Sequence, residues 1–304
     1  MRLAEIDWDS EWKQAQTGRS VAYSSEFWDK KAPSFRSQGV TDYERDFLTY
    51  ACIEKDWTVL DVGAGSGTFT LPLALEGHEV TAIDFSPGML THLNAEAKLE
   101  NVEDRITTIQ GSWDDDWQTL GIEPESVDVV IASRSFLTFE LCAALKKLND
   151  TARKRVCLTI GVASFPFYDV KLMQEIGRSL PVAGDYFILL GALAEMGILA
   201  EVRLIGSLRR DVYLDRAGAK EAVLHSLGSV TAEEEVHLER YFDEHIIPWK
   251  LTTKEYEKLT KEQTYKDLRI AGQARADSSD AVHEGVAKDY LRDTRWAFIS
   301  WDKE

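Results

Sequence analysis

Cysteine is scarce in this chain: three in 304 residues, Cys52, Cys142 and Cys157, widely spaced and without a CxxC pair. That excludes a disulfide framework and a thiolate zinc cluster, and each is expected to be a small buried apolar side chain. Long hydrophobic runs are missing too. No stretch approaches the ~20 apolar residues that a membrane span needs, and Met1 to Ser20 lacks the apolar centre of a secretion signal. A soluble, cytoplasmic protein with no membrane partner is expected. Positive charge is short, with 35 Lys and Arg against 52 Asp and Glu and a formal charge of −17. Because proteins that bind nucleic acid release counterions through lysine and arginine contacts, no nucleic-acid partner is expected. Asp211 to Tyr290, where an added lobe would sit, holds 17 acidic and 11 basic residues, interspersed, and no basic stripe. The six histidines form no HxxxE pair or other compact ligand set, so no metal is expected.

What the chain does have is a glycine turn. Val59 to Phe69 reads VLDVGAGSGTF, an apolar strand running into Gly63, Gly65 and Gly67. Glycine serves where a backbone must take positive φ or approach a ligand closely. A dinucleotide fingerprint is G-x-G-x-x-G, whereas these glycines run G-x-G-x-G and Thr68 stands where the last one would fall. Asp61, just before the turn, would repel a pyrophosphate but can accept from an ammonium group.

These residues resemble the first motif of the class I S-adenosylmethionine-dependent methyltransferases, an acid followed by G-x-G-x-G after the first strand. The resemblance continues through TAIDFSPGML (Thr81 to Leu90), IQGSW (Ile109 to Trp113), VDVVIASRS (Val127 to Ser135) and RVCLTIGV (Arg155 to Val162), in the family's order. It covers roughly Asp42 to Ser207 and a final strand near the C-terminus. It implies an α/β fold, a Rossmann-like seven-stranded sheet with helices on both faces, and S-adenosyl-L-methionine as cofactor, with S-adenosyl-L-homocysteine as product.

At 304 residues the chain exceeds one ordinary compact domain. Residues 1–41 read as an N-terminal helical cap, 42–210 as the cofactor-binding core, 211–290 as a mainly helical insertion between strands six and seven, and 291–304 as the last strand. The core strands are expected at Trp57 to Val62, Glu79 to Ile83, Ile106 to Gln110, Val127 to Ser133, Val156 to Gly161 and Val202 to Ser207, with RWAFISW (Arg295 to Trp301) closing the sheet. Ser86 and Pro87 make a helix start, serine as N-cap and proline at the first helical position. In the insertion, an amphipathic helix is expected at Thr231 to Ile247 with Glu233, Glu234 and Glu235 as a hydrated face, and a flexible stretch near Ala271 to Gly285.

Asp61, Gly63, Ala64, Gly65, Gly67 and Thr68 are the candidate cofactor turn. Asp84 ends strand two, 17 residues beyond Gly67, where a nucleotide fold places an acid for the ribose hydroxyls; its plain alternative is a helix cap. Phe85 and Met89 would then flank the adenine. Ser112 and Trp113 follow strand three, where the family recognises adenine. Many relatives carry an acid at the position of Ser112, so the serine or Asp114 would make that contact, and Trp113 either stacks on adenine or packs on the sheet. Ser133, Arg134 and Ser135 lie at the carboxyl end of strand four, where open sheets bind ligands. Arg134 would hold a carboxylate of cofactor or substrate, or pair with a neighbouring acid. Asp128, at the opposite edge, reads as structural. Tyr23, Trp28 and Tyr43 are candidates for an aromatic lid, or for packing of the N-terminal helices.

The expected activity is methyl transfer to a small-molecule acceptor. A nicotinamide-dependent Rossmann oxidoreductase and a non-catalytic S-adenosylmethionine-binding scaffold are the competing readings. No catalytic residue is assigned, since a thiolate, neutral amine or metalloid acceptor needs no general base.

Overall fold

The computed structural model describes residues 5–16, 24–32, 42–162, 169–179, 185–253, 256, 269–271 and 282–303. The chain divides into two compact units, one of residues 1–163, 183–205 and 296–304, the other of 164–182 and 206–295.

The first unit carries helices α1 (Trp8–Gln16), α2 (Ser25–Lys31), α3 (Asp42–Ala51), α4 (Thr70–Leu75), α5 (Pro87–Leu99), α6 (Leu141–Thr151) and α8 (Asp185–Glu195). Its strands are β1 (Val59–Val62), β2 (Val80–Asp84), β3 (Ile106–Gln110), β4 (Val127–Ser133) and β5 (Ala152–Gly161), with the start of β6 (Glu201–Tyr213) and most of β10 (Arg292–Asp302). The order is β3-β2-β1-β4-β5-β10-β6. The pairs from β3 to β5 are parallel, and β10 runs antiparallel to β5, from Trp296 opposite Gly161 to Asp302 opposite Arg155. This is the expected mostly parallel seven-stranded sheet.

Parallel strands covered on both faces read as near-continuous apolar runs, and here successive residues divide between two cores. Leu60, Val62, Val130, Ala132, Leu158 and Ile299 pack with Trp12, Leu141, Leu145, Leu148 and Leu189 from α1, α6 and α8. Val59, Val129, Ile131, Cys157 and Phe298 pack with Tyr43, Phe47, Leu73 and Ala97 from α3, α4 and α5. The first helix packs into the first core: Trp12 is buried there and its indole N–H donates to the Thr138 carbonyl at 2.8 Å. Cys52 departs from expectation. It follows α3 in the left-handed region, φ 48°, and is exposed, whereas Cys157 is buried and Cys142 half-buried.

The second unit contains α7 (Val170–Glu175), the end of β6, α9 (Arg216–Leu227), α10 (Ala232–His245), β7 (Ile246–Thr252), β8 (Arg269–Ala271), β9 (Val282–Lys288) and the start of β10. Among its described residues the insertion is thus mixed rather than mainly helical. α10 runs without a loop into β7, IIPWKLT, whose β-branched and aromatic residues suit a strand. β7 ends the strand order and so tolerates Pro248, which has no N–H to donate. β9 lies between β6 and β7, so Val282 to Gly285, expected to be flexible, is strand; residues 272–281 lie outside the described residues. Thr231 and Glu234 form a capping box on α10. Glu234 also pairs with Arg178 at 2.6 Å and is held down to about 2 chiefly by that hydrogen bond, so the Glu233 to Glu235 run is not simply a hydrated face. A buried charge network closes this unit. Lys288 Nζ lies 2.5 Å from Asp169 Oδ2 and 2.8 Å from Asp211 Oδ2, and the Arg292 guanidinium approaches Asp211 at 3.5 Å.

Candidate cofactor site

The candidate residues of the first unit gather at the carboxyl ends of four adjacent strands, β3, β2, β1 and β4. The glycine turn leaves β1 and is tied to the end of β2, where the Ile83 carbonyl accepts from Gly63 N at 2.8 Å and Ala64 N at 3.1 Å. Gly63, Gly65 and Gly67 have φ of 71°, 56° and 93°. A Cβ at Gly63 would collide with Ser135 of the β4 end, and one at Gly67 with Leu93 of α5. At Gly65 the same position meets nothing within 4 Å. Two glycines thus allow the turn to pack, and the middle one faces open space where another group can approach. Ala64 is buried and Thr68 half-buried.

Two carboxylates flank the turn. Asp61 in β1 is 2% exposed, accepts from Thr70 Oγ1 at 2.7 Å, and is pushed up to about 7 chiefly by burial. Asp84 ends β2, with Oδ2 accepting from Gly65 N at 2.8 Å and Oδ1 from Ser86 N at 2.9 Å. Burial raises it as well, against those two hydrogen bonds. Among the described residues neither acid has a cationic partner. A buried carboxylate without a counter-ion is costly, so the turn is poised for a ligand that brings positive charge and hydroxyl donors. It is hostile to a pyrophosphate.

Of the residues expected around adenine, Phe85 is half-buried while Met89 is 2% exposed and packed inward. Trp113 is buried as well. Its N–H is used on the Ser135 carbonyl at 2.6 Å and its ring packs against Phe136 and Trp117, which favours the sheet-packing alternative. Ser112 is half-buried, its N–H bonded to Asp115, while Asp114 accepts from Thr138. The β4 end is a small network: Tyr43 OH lies 2.8 Å from Ser133 Oγ and 2.7 Å from Thr159 Oγ1. Arg134, with φ 56°, donates its N–H to Thr159 Oγ1 and lays its guanidinium 4.1 Å from the Tyr43 ring centroid. Among the described residues it has no salt bridge. Tyr43 is therefore a buried platform under Arg134 rather than a lid aromatic. Trp28 sits half-buried in α2, and Tyr23 lies outside the described residues. Asp128 is structural: although burial opposes it, hydrogen bonds from Arg153, Thr58 and Lys154 hold it well below the usual carboxylate range. Among the described residues no cluster of His, Cys, Asp and Glu could hold a metal, and no helix is long and apolar enough to cross a membrane.

Sequence reasoning missed Asp29, which reaches from α2 to the start of α5, and Thr70, which braces Asp61; Ser135, placed by the sequence at the ligand-binding edge, donates its hydroxyl to the Val62 carbonyl and so braces the turn. Adjacency of Asp29 to the candidate lid tryptophan was the one available signal.

The family model for the methyltransferase domain matches residues 59–155, from the first strand into β5. The chain is 35% identical over 223 residues to an uncharacterized protein of Haemophilus influenzae, spanning 71% of this chain and 80% of that one. It is also similar to the ubiquinone biosynthesis O-methyltransferase of Xylella fastidiosa, at 25% identity over 104 residues, 31% of this chain and 42% of that enzyme. Residues 59–155 form a methyltransferase domain of the class I S-adenosylmethionine-dependent kind. Among solved structures, a SAM-dependent methyltransferase from Aquifex aeolicus aligns over 58% of this chain and 91% of its own at 19% identity and a TM-score of 0.44. The methyltransferase uses S-adenosylmethionine as its methyl donor, and the residues fit that group. The open face of Gly65, the Asp61 carboxylate without a cationic partner among the described residues, and the Asp84 carboxylate suit an adenosyl group with an ammonium tail.

Proposed function

We propose that this methyltransferase acts on a small-molecule acceptor, and that Asp61, Asp84 and the Gly63–Gly67 turn hold the cofactor. The observation that carries the cofactor assignment is the pair of buried acids flanking an open glycine, without a cation among the described residues. Asp61 would accept from the ammonium and Asp84 from the ribose hydroxyls. Phe85 offers apolar surface to the adenine. Arg134, presented on Tyr43 at the β4 end, would take a carboxylate of cofactor or acceptor. Bound S-adenosylmethionine supplies a methyl group on a sulfonium that departs as a neutral thioether. The chain's task is then mostly to align and desolvate the acceptor.

The formal charge of −17, and the 17 acidic residues between Asp211 and Tyr290, favour a small acceptor over nucleic acid. Similarity to a ubiquinone biosynthesis O-methyltransferase supports the same reading.

Calorimetry with S-adenosylhomocysteine tests the site: Asp84→Ala should weaken binding by about a hundredfold or more, from two lost hydrogen bonds to a charged group. Unchanged affinity removes the ribose assignment. For the acceptor, a cell extract incubated with methyl-labelled cofactor is separated by size and digested with nuclease and protease. Label in the low-molecular-weight fraction is expected, whereas nuclease-sensitive label would overturn the reading.

A further inference from the structure

One contact made by α2 is absorbed by none of the roles above. Asp29 Oδ1 accepts from Ser86 Oγ at 2.6 Å and from Gly88 N at 2.8 Å. Both donors belong to the N-terminus of α5, where the positive end of the helix favours a carboxylate. Ser86 is the N-cap of α5, its hydroxyl oxygen accepting from Met89 N at 3.1 Å, so its proton is directed at Asp29. The backbone N–H of the same Ser86 donates to Asp84 Oδ1, and the other Asp84 oxygen is held by Gly65 N. A continuous chain therefore runs Asp29, Ser86, Asp84, Gly65, from α2 to the glycine turn. The approach needs the glycine at position 88. A Cβ there would lie 2.7 Å from Asp29 Oδ1 and 2.9 Å from its Cα.

We propose that Asp29 is a positioning residue that couples the docking of α2 to the binding of S-adenosylmethionine. With α2 docked, Asp29 fixes the Ser86 turn, and that turn holds Asp84 in the orientation the ribose hydroxyls require. The inference rests on the reading of Asp84 as the ribose acid. Coupling of this kind is reciprocal: whatever factor α2 docking contributes to cofactor affinity, the cofactor must return as tighter docking. Asp29 itself does not touch the cofactor in this account and acts only through Ser86 and Asp84.

The test is a double-mutant cycle read by calorimetry with S-adenosylhomocysteine, on Asp29→Ala, Asp84→Ala and the pair. Asp29→Ala should raise the dissociation constant about tenfold, or 1.4 kcal/mol, in the native background, and less than about threefold once Asp84 is gone. Asp29→Asn keeps an oxygen acceptor for Ser86 and Gly88 and should bind within about threefold of the native protein. Gly88→Ala, which pushes α2 away from the other side, should reproduce Asp29→Ala. Independently, hydrogen exchange at the Gly88 amide should slow when the ligand is added to the native protein, by about the factor that Asp29→Ala loses. If Asp29→Ala is equally damaging with and without Asp84, or harmless in both, the coupling is wrong. If Asp84→Ala alone leaves affinity unchanged, it is the ribose reading that fails, and the Gly88 exchange still reports whether α2 docking responds to ligand. A Gly88 amide indifferent to ligand would refute the coupling even if the affinities agreed.

Discussion

If Asp61 pairs with the ammonium as proposed, cofactor binding should depend on pH. The ammonium of S-adenosylmethionine can pair only with the ionised carboxylate, yet burial pushes Asp61 up to about 7 in the free protein. Binding below that value must expel a proton. The ionised fraction is about one tenth at pH 6 and one hundredth at pH 5, so the dissociation constant should rise about tenfold per unit of acidification. On the alkaline side the plateau ends near pH 8, where an α-amino group ordinarily loses its own proton. The free protein carries the complementary signature. Its folded value lies above the ordinary 3.8, so this group's contribution to stability is full below about pH 4. It is lost as pH rises towards 7, by about 4 kcal/mol at most for a three-unit shift. The assay is calorimetry with S-adenosylhomocysteine at pH 5.5, 6, 6.5, 7 and 7.5, in two buffers of different ionisation enthalpy. Asp61→Asn should flatten the acid limb and bind about ten- to a hundredfold more weakly at pH 7.5, from the loss of one charged hydrogen bond. An affinity independent of pH from 5.5 to 7, with no proton released, would refute the pairing of Asp61 with the ammonium.

Two further perturbations separate packing from binding. Gly67→Ala forces a Cβ against Leu93 at φ 93° and should cost about 2–3 kcal/mol in urea unfolding. Gly65→Ala meets open space, so it should cost only about 1 kcal/mol of stability yet weaken S-adenosylhomocysteine at least about tenfold; comparable losses in both assays for both variants would contradict the division of roles. In the second unit, Lys288→Met leaves Asp169 and Asp211 buried without their shared cation, and unfolding should show a loss of about 3–5 kcal/mol.

How much of this was legible in the sequence depends on the range over which each signal acts. The glycine turn, the Ser86–Pro87 helix start, the β-branched run of β3 and the apolar run of β4 are local patterns, and the structure places them where the residues indicate. β6 and the insertion were less legible. A thirteen-residue strand that continues past Ser207 to Tyr213, and a helix passing directly into a strand at Ile246, carry no turn residue to mark the change. At the site, the acids and glycines could be read because each lies at a strand end. The Tyr43, Ser133 and Thr159 network could not, since its members are 26 to 116 residues apart and meet only when α3, β4 and β5 are packed. Trp113 shows the converse. Its position in the chain suits adenine, but a buried ring whose N–H is bonded to Ser135 has little left to offer a ligand.

The Lys288 network bears on how this protein could be recombined. Its four charges come from the N-cap of α7 and from β6, β9 and β10, separated in the chain by as many as 123 positions between Asp169 and Arg292. A graft taking only the stretch between β6 and β10 would carry Lys288 but leave Asp169, Asp211 and Arg292 behind. Exchange of this lobe between relatives is therefore viable only as a set of discontinuous pieces, and drift at any one of the four charges constrains what the other three can become.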